Sequence, residues 1–181
     1  MKMSLVISES NTKEQPTIKT EVISALKFAV FLILLFIFLR FSMSLAIISG
    51  ESMAPTFEDG SLVIANRLYF EPEAGNIVLF SDNNGFQVIK RVIGMQGDQI
   101  SIENGIVIVN GVELKESYTQ GIPNDMAAQV VPKGHYFLLG DNRTPGASLD
   151  SRDAELGTIP LNRISGEMML ALNPFRIGNG Y

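Results

Sequence analysis

The hydrophobic positions divide the chain into three parts. Residues 1–21 are polar and show no apolar periodicity, which predicts a loose tail. Residues 22–42 form one apolar stretch, and its core at 28–39 is apolar on every helical face. From residue 43 onward the apolar residues occur in short runs separated by Gly, Pro, Asn and Asp. Such runs predict β-strands.

The apolar stretch predicts a membrane anchor. A helix that crosses a bilayer needs about 20 residues, and residues 22–42 supply them, with Lys27 and Arg40 able to extend toward opposite head-group layers. Basic residues ahead of the stretch predict a cytoplasmic tail and a single-pass protein whose remaining residues lie outside the cell membrane. A cleaved secretory signal and a buried core helix are the alternatives. Residues 43–48 are expected to lie at the membrane interface.

Residues 43–181 are predicted to form one extracytoplasmic β domain. The predicted strands are 61–68, 76–80, 86–95, 135–139 and 163–172. Residues 99–131 form an excursion in which two Asn-Gly pairs, at 104–105 and 110–111, predict hairpin turns. The polar residues 116–131 predict a loop. The expected fold is mainly β: a single N-terminal transmembrane helix, then an all-β catalytic domain of curled antiparallel sheets with a small hairpin subdomain.

The composition of the chain excludes several classes of partner and of chemical site. The net charge of -5 argues against nucleic acid as a partner. Cysteine is absent and His135 is the only histidine, so disulfides, thiolate nucleophiles and multi-histidine metal sites are excluded. We predict no metal and no cofactor. The first 50 residues hold five basic and three acidic side chains, a net of +2, which leaves -7 for the remainder. The two parts are therefore expected to face different environments.

Ser52 is the candidate nucleophile. It follows the apolar stretch directly and is flanked by Gly50 and Pro55. A serine hydroxyl is a weak nucleophile and needs a neighbouring base. One candidate base is His135, although a lone histidine in an apolar strand is usually structural.

Lys90 is the second candidate base. Strand alternation puts it on the face of Phe86, Val88 and Val92, where loss of solvent would favour the neutral amine. An unperturbed lysine has a pKa of ~10.4, whereas full burial can lower it to roughly 5–6. The same residues also fit a basic pair, Lys90-Arg91, on a solvated edge strand. The strand pattern alone leaves both interpretations open.

The third candidate stretch, residues 140–152, is dense in hydrogen-bonding groups and follows a predicted strand. Asp150 could pair with Arg152, and Asp141 with Arg143, and so fix the loop. The alternative is an ordinary polar loop, because Gly, Asp, Asn, Pro and Ser all suit turns.

Together, the three stretches resemble type I signal peptidases, membrane-anchored Ser–Lys proteases. The family's nucleophile box resembles Gly50-Glu51-Ser52-Met53-Ala54-Pro55-Thr56. Its lysine box resembles Lys90-Arg91-Val92-Ile93-Gly94 followed by Gly97-Asp98. Its third box resembles Gly140-Asp141-Asn142-Arg143 followed by Ser148-Leu149-Asp150-Ser151-Arg152. The third box departs from the family spacing by two extra residues before Ser148.

The resemblance implies a role for each matching residue. Ser52 would be the nucleophile, Lys90 the general base, and Ser148 the group that orients the lysine amine. The backbone of Ser52 and of Gly50 would hold the oxyanion. The residues implied to brace the site are Asp141, Arg143, Asp150 and Arg152.

The resemblance also implies substrate and partners. The chain would remove signal peptides from exported preproteins, cutting after Ala-x-Ala sites, with the lipid bilayer as its second partner. Three rivals remain. A self-cleaving repressor would need a DNA-binding domain in place of the anchor. A conjugation or pilus maturation peptidase would differ only in substrate. A non-enzymatic anchored β domain would tolerate Ser52→Ala.

Overall fold

The structure is a computed structural model that describes residues 18–68 and 70–172. It divides into two units at Leu39–Arg40, which we describe separately. The first unit contains α1, Ile18–Ser42, which extends into the second. Within the described residues, α1 is the one helix long and apolar enough to cross a membrane.

Helix α1 begins four residues earlier than predicted and ends at the predicted residue. Glu21, assigned to the polar tail, instead lies in the first helical turn, where an acidic side chain suits the helix dipole. Residues 1–17 of the predicted tail lie outside the described residues. No part of the apolar span of α1 is buried, which contradicts the buried-core-helix alternative.

The second unit contains two antiparallel sheets. The main sheet has the order β1-β2-β11-β3-β4-β9-β10. Its strands are β1 Met43–Ile47, β2 Leu62–Asn66, β3 Ile77–Ser81, β4 Gln87–Gly94, β9 His135–Leu139, β10 Ile159–Pro160 and β11 Ile164–Leu172. The small sheet has the order β7-β6-β5-β8. Its strands are β5 Gln99–Glu103, β6 Ile106–Val109, β7 Val112–Glu113 and β8 Met126–Val130.

The predicted mainly β fold class is confirmed, and every predicted strand is present. Both Asn-Gly turns are confirmed as well: Asn104 and Asn110 have φ of 53°, and each following glycine has φ of 78°. Two positive φ values in a two-residue loop are the mark of the hairpin turn that matches strand twist.

Three strands escaped prediction. Residues 43–47, part of the segment expected at the membrane interface, form the edge strand β1, which pairs with β2. Strand β8 lies at the end of the stretch predicted as loop, where Met-Ala-Ala-Gln-Val shows no clear alternation of apolar and polar residues. Strand β10 has two residues and includes a proline.

Three hydrophobic clusters support the sheets. Met53 and Phe57 fill the first cluster, packed with Val63 and Leu79 beneath the turn that follows β1. The second cluster packs Phe80 and Leu138, among others, on the main sheet. The third packs Phe137 and Leu139 of β9 against the small sheet. Strand β4, which carries Lys90, is interior because it pairs with both β3 and β9. This pairing rules out the solvated edge strand considered for Lys90-Arg91.

The two hairpin glycines allow a matched test of how the small sheet is packed. Both Gly105→Ala and Gly111→Ala should cost about 1 kcal/mol because L residues are strained at these φ values. A Gly105 methyl would also clash with Ile122, whereas space at Gly111 is open. We expect Gly105→Ala to lose about 0.5–1 kcal/mol more unfolding free energy than Gly111→Ala, because the exposed Ile122 side chain has to leave its rotamer; urea denaturation in detergent measures the difference. Equal losses for the two variants would contradict this packing.

Candidate active site

Ser52 lies in a tight turn between β1 and β2. Backbone hydrogen bonds from Ala54 N to Glu51 O (3.1 Å) and from Phe57 N to Met53 O (3.0 Å) close the turn. Met53, which is 1% exposed, anchors it in the first hydrophobic cluster. The turn is therefore fixed from below by apolar contacts while Ser52 remains at its surface.

Lys90 reaches this turn from the interior of the main sheet. Its side chain is 2% exposed. The Nζ atom lies 2.7 Å from Ser52 Oγ and 2.8 Å from the carbonyl oxygen of Ile89. The two residues singled out in separate sequence stretches are therefore in direct hydrogen-bond contact.

Burial lowers the pKa of Lys90 from 10.5 to about 8. The nearby carboxylates of Asp150 and Asp141 oppose this shift, and the Arg152 guanidinium adds to it. With a pKa near 8, roughly a fifth of the amine is neutral at pH 7.4, against about one in a thousand for an unperturbed lysine. The site therefore supplies a usable base near neutral pH.

The third polar stretch holds the nucleophile turn in place. The backbone N–H of Asn142 donates to Ser52 O (3.1 Å), and the Asn142 side-chain amide donates to Glu51 O (3.2 Å). Thr56 donates its hydroxyl proton to Asp141. Sequence analysis assigned no role to Thr56 or Asn142, although both lie within the recognised boxes.

One of the two expected ion pairs is present. Arg152 binds the Asp150 carboxylate with Nε (2.8 Å) and NH2 (2.7 Å). Burial alone would raise the pKa of Asp150, but Arg152 and the Gly140 N–H hold it below its usual range.

The expected Asp141–Arg143 pair is wrong. Asp141 instead pairs with Arg91, with contacts of 2.8 and 2.6 Å. Arg143 pairs with Glu116. Two residues apart in one loop, Asp141 and Arg143 each found a partner on another segment. A local pairing rule could not detect these partners.

Ser148 does not contact the lysine amine as expected. Its hydroxyl is buried and makes no hydrogen bond within residues 18–68 and 70–172, although it lies close enough to Asp150 to help lower the carboxyl pKa. The two extra residues of the third box are accommodated in a turn closed by a bond from Ala147 N to Thr144 O (3.0 Å).

Gly140 brings Ser148 and Ser52 together. A Cβ atom on Gly140 would lie closer than 3.0 Å to both the Ser148 side chain and the Ser52 carbonyl oxygen. Only glycine allows the third stretch to approach the nucleophile turn this closely.

Gly50 departs from its expected role. Its φ of +90° suits glycine. Its backbone N–H donates to Asp59 Oδ1 (2.7 Å), so this group is already engaged. The Ser52 N–H makes no hydrogen bond to any residue that the structure describes. It is therefore free to donate to an oxyanion.

A cavity of about 190 Å³ opens beside Ser52. Its apolar walls come from β1, β3 and β4. The lining residues are Ala46, Ile47, Ile48, Ser49, Ser52, Met53, Leu79, Gln87, Val88 and Ile89. The cavity therefore places mainly apolar surface next to the Ser52 side chain.

The other candidate groups lie apart from this chemistry. His135 starts β9, and its Nδ1 lies 3.1 Å from Lys133 O, so Lys90 rather than His135 contacts Ser52. Among the residues described, no group of three or more acidic or histidine side chains is placed to hold a metal ion.

Comparison with known proteins identifies the family. The family model described as "Signal peptidase, peptidase S26" matches residues 20–172. The chain belongs to this family. It is therefore a serine peptidase of the signal peptidase type, and the resemblance to type I signal peptidases is confirmed. Together with the apolar helix α1, family membership supports a membrane-anchored enzyme.

Relatives cover most of the chain. Signal peptidase IB of Staphylococcus aureus is 34% identical over 169 residues, covering 81% of this chain and 86% of the relative. Signal peptidase I of Bacillus caldolyticus is 33% identical over 148 residues, covering 72% and 79%. A crystal structure of a signal peptidase I from Enterococcus faecalis gives a TM-score of 0.48 at 26% identity, covering 56% of this chain and 98% of that one.

Besides Thr56 and Asn142, three residues around the site were missed from sequence. Arg91 was treated only as the neighbour of Lys90, yet it binds Asp141. Glu116 and Tyr118 belong to a stretch assigned as loop, and Tyr118 lies over Arg91. Strand alternation places the side chains of Arg91 and Lys90 on opposite faces of β4, which is a signal that Arg91 has contacts of its own. No local pattern connects residues 116–118 to the site.

The lowered pKa of Lys90 makes stability depend on pH in a defined direction. Between pH 8 and 10.5 the unfolded chain holds a proton on Lys90 that the folded chain lacks, so stability rises with pH. We expect the unfolding free energy of the wild type to rise by up to about 3 kcal/mol across this window, relative to Lys90→Met. Urea denaturation at a series of pH values measures it. Lys115→Met, which removes an exposed lysine, is the control, and parallel curves for wild type and Lys90→Met would contradict the assignment.

The close approach at Gly140 predicts a large effect from one methyl group. Gly140→Ala should reduce peptidase activity by ~10², because a displacement of about 1 Å at the nucleophile has that effect. Adding Ser148→Gly to Gly140→Ala should restore little activity, because the Ser52 carbonyl oxygen still clashes with the methyl group of the new alanine. Kinetics on a preprotein substrate measure both, and near-normal activity of Gly140→Ala would refute the packing argument.

Proposed function

We propose that this chain removes signal peptides from exported preproteins by a Ser52–Lys90 dyad. The observation that carries the proposal is the 2.7 Å separation between Ser52 Oγ and an amine that is 2% exposed. Burial supplies the neutral base, and the short separation supplies the path for the proton. Family membership supports the coarser statement that the chain is a signal peptidase.

The proton balance follows from the amine's hydrogen bonds. Neutral Lys90 donates one N–H to Ile89 O and directs its lone pair at the Ser52 hydroxyl. As Ser52 Oγ attacks the scissile carbonyl carbon, its proton passes to Nζ. The resulting ammonium then protonates the leaving amine as the peptide bond breaks. An acyl-enzyme remains on Ser52, and a water activated by neutral Lys90 hydrolyses it.

The backbone N–H of Ser52 is our candidate donor for the tetrahedral oxyanion. Loss of one such donor typically costs ~10²–10³ in rate. The expected second donor, Gly50 N–H, is bound to Asp59 and would have to exchange this partner to contribute.

We assign the cavity beside Ser52 to the small side chains before the cut. The cavity has a volume of about 190 Å³ and is lined by Ile47, Val88 and other apolar residues. These apolar walls are compatible with alanine at the first and third positions before the scissile bond, the preference that the family resemblance implies. The preprotein would bind there as an extended strand.

The bilayer is the proposed second partner. Helix α1 would span it, with the N-terminus cytoplasmic and the β domain outside. On the main sheet, Leu45 and Ile47 of β1 are 69% and 72% exposed. Exposed Leu170 and Leu172 of β11 pair with the same two residues of β2 as Leu45 and Ile47 do. The four side chains therefore lie on one face of the sheet, which is apolar. This face is the candidate for contact with lipid.

The decisive test uses full-length protein in detergent and a preprotein with an Ala-x-Ala site. We expect cleavage after that site, with kcat/KM falling as pH drops below about 8 because Lys90 becomes protonated. Ser52→Ala should reduce cleavage at least ~10³-fold. Lys90→Arg should do the same, since it keeps a charge but cannot supply a neutral base.

His135→Ala is the matched control and should stay within about twofold of wild type. Substantial cleavage by Lys90→Arg would exclude the dyad. Loss of cleavage in folded His135→Ala would point to a histidine base instead.

A further inference from the structure

The linker between β7 and β8 leaves the small sheet and lies against the third polar stretch. We call residues 116–121 the strap. Gln120 N donates to Asp141 O (3.1 Å), and Arg143 N donates to Gln120 O (2.7 Å). A Cβ on Gly121 would clash with the backbone of Thr144, so the strap also packs closely there. The strap backbone is therefore joined to the segment that holds the nucleophile turn.

Two strap side chains extend this connection. The Glu116 carboxylate accepts hydrogen bonds from both terminal guanidinium nitrogens of Arg143. The side chain of Glu116 is 8% exposed and that of Arg143 is 2% exposed. Tyr118 donates its hydroxyl proton to Glu116 (2.8 Å). The Tyr118 ring covers Arg91, whose Cζ lies 4.0 Å from the ring centroid. Covering a guanidinium with an aromatic face fixes its orientation.

The contacts of Arg91 lead directly to the proposed dyad. Arg91 follows Lys90 in β4 and binds Asp141 with two nitrogens. Asp141 in turn accepts the hydroxyl proton of Thr56 in the nucleophile turn. The Arg91–Asp141 pair thus joins the strand that carries the base to the turn that carries the nucleophile.

We propose that Tyr118 and Glu116 are positioning residues of the peptidase. Tyr118 holds Arg91 on Asp141, Glu116 holds Arg143 and the Tyr118 hydroxyl, and together they set the separation between Ser52 Oγ and Lys90 Nζ. Neither residue touches the dyad, so both act through Arg91 and the third stretch. The inference rests on the proposed function. It also gives the small sheet a role, because its β7–β8 linker is the strap.

A double-mutant cycle tests whether Tyr118 acts through Arg91. Full-length Tyr118→Ala, Arg91→Met and the double variant are assayed in detergent on a preprotein-derived peptide. We expect each single variant to lower kcat by ~10–100-fold with KM within about twofold, because displacement of reacting groups affects the chemical step. The double variant should be no worse than Arg91→Met.

The pH profile separates positioning from simple stability. The charged groups that act on Lys90 are Asp150, Asp141 and Arg152. The Asp141 carboxylate opposes the lowering of the Lys90 pKa. When Arg91 no longer neutralises this carboxylate, its effect is larger, and the pKa of Lys90 is higher than in the wild type. The acid limb of kcat/KM should therefore move to higher pH in Tyr118→Ala and Arg91→Met. A strap that only stabilised the fold would lower the melting temperature without moving this limb.

Conservative variants keep the test informative if Tyr118→Ala fails to fold. Tyr118→Phe retains the ring over Arg91 and should keep kcat within about threefold of wild type. Glu116→Gln keeps the side-chain volume but weakens the hold on Arg143, and should lower kcat by about tenfold. Ser117→Ala, an exposed strap neighbour, should behave as wild type.

Additive losses in the cycle, an unmoved acid limb, or an effect on KM alone would overturn the inference and leave the proposed function standing. Failure of the wild type to cleave any preprotein would overturn the proposed function itself.

Discussion

A lysine amine buried in an interior strand is the constraint on which the rest of the site depends. A charged amine without water is costly, so burial drives Lys90 toward its neutral form. Two carboxylates nearby oppose this effect. Each has its own cation, Arg91 on Asp141 and Arg152 on Asp150. These pairings weaken the field at Nζ and allow the pKa to fall to about 8.

The same acidic residues also set the geometry. Asp141 and Asn142 bind the nucleophile turn, Asp150 binds the backbone of Gly140, and Gly140 lets the third stretch approach Ser52. Electrostatics and positioning are thus inseparable here, because a change to one carboxylate alters both the base's proton affinity and its distance from the hydroxyl.

The sequence predicted what is local or repeated. Strand alternation and Asn-Gly turns predicted most strands and both hairpins, and three short boxes singled out the proposed nucleophile and the proposed base. It could not predict that Asp141 binds Arg91 rather than Arg143, since that choice depends on how β4 meets the third stretch. The role of residues 116–121 was equally hidden, because a polar linker shows its partners only after folding. Strand β1 was not predicted as a strand because an edge strand with one exposed apolar face has the same composition as an interfacial segment.

The most direct test of the account is the titration of Lys90 itself. Full-length protein in detergent, labelled with ¹³C and ¹⁵N at lysine, would be followed by NMR from neutral to alkaline pH, and Lys90→Met would assign the resonance. We expect a titration midpoint near pH 8 for the Lys90 amine. A midpoint near the usual 10.5 would contradict it, because the amine would then be charged at the pH where the serine has to be activated.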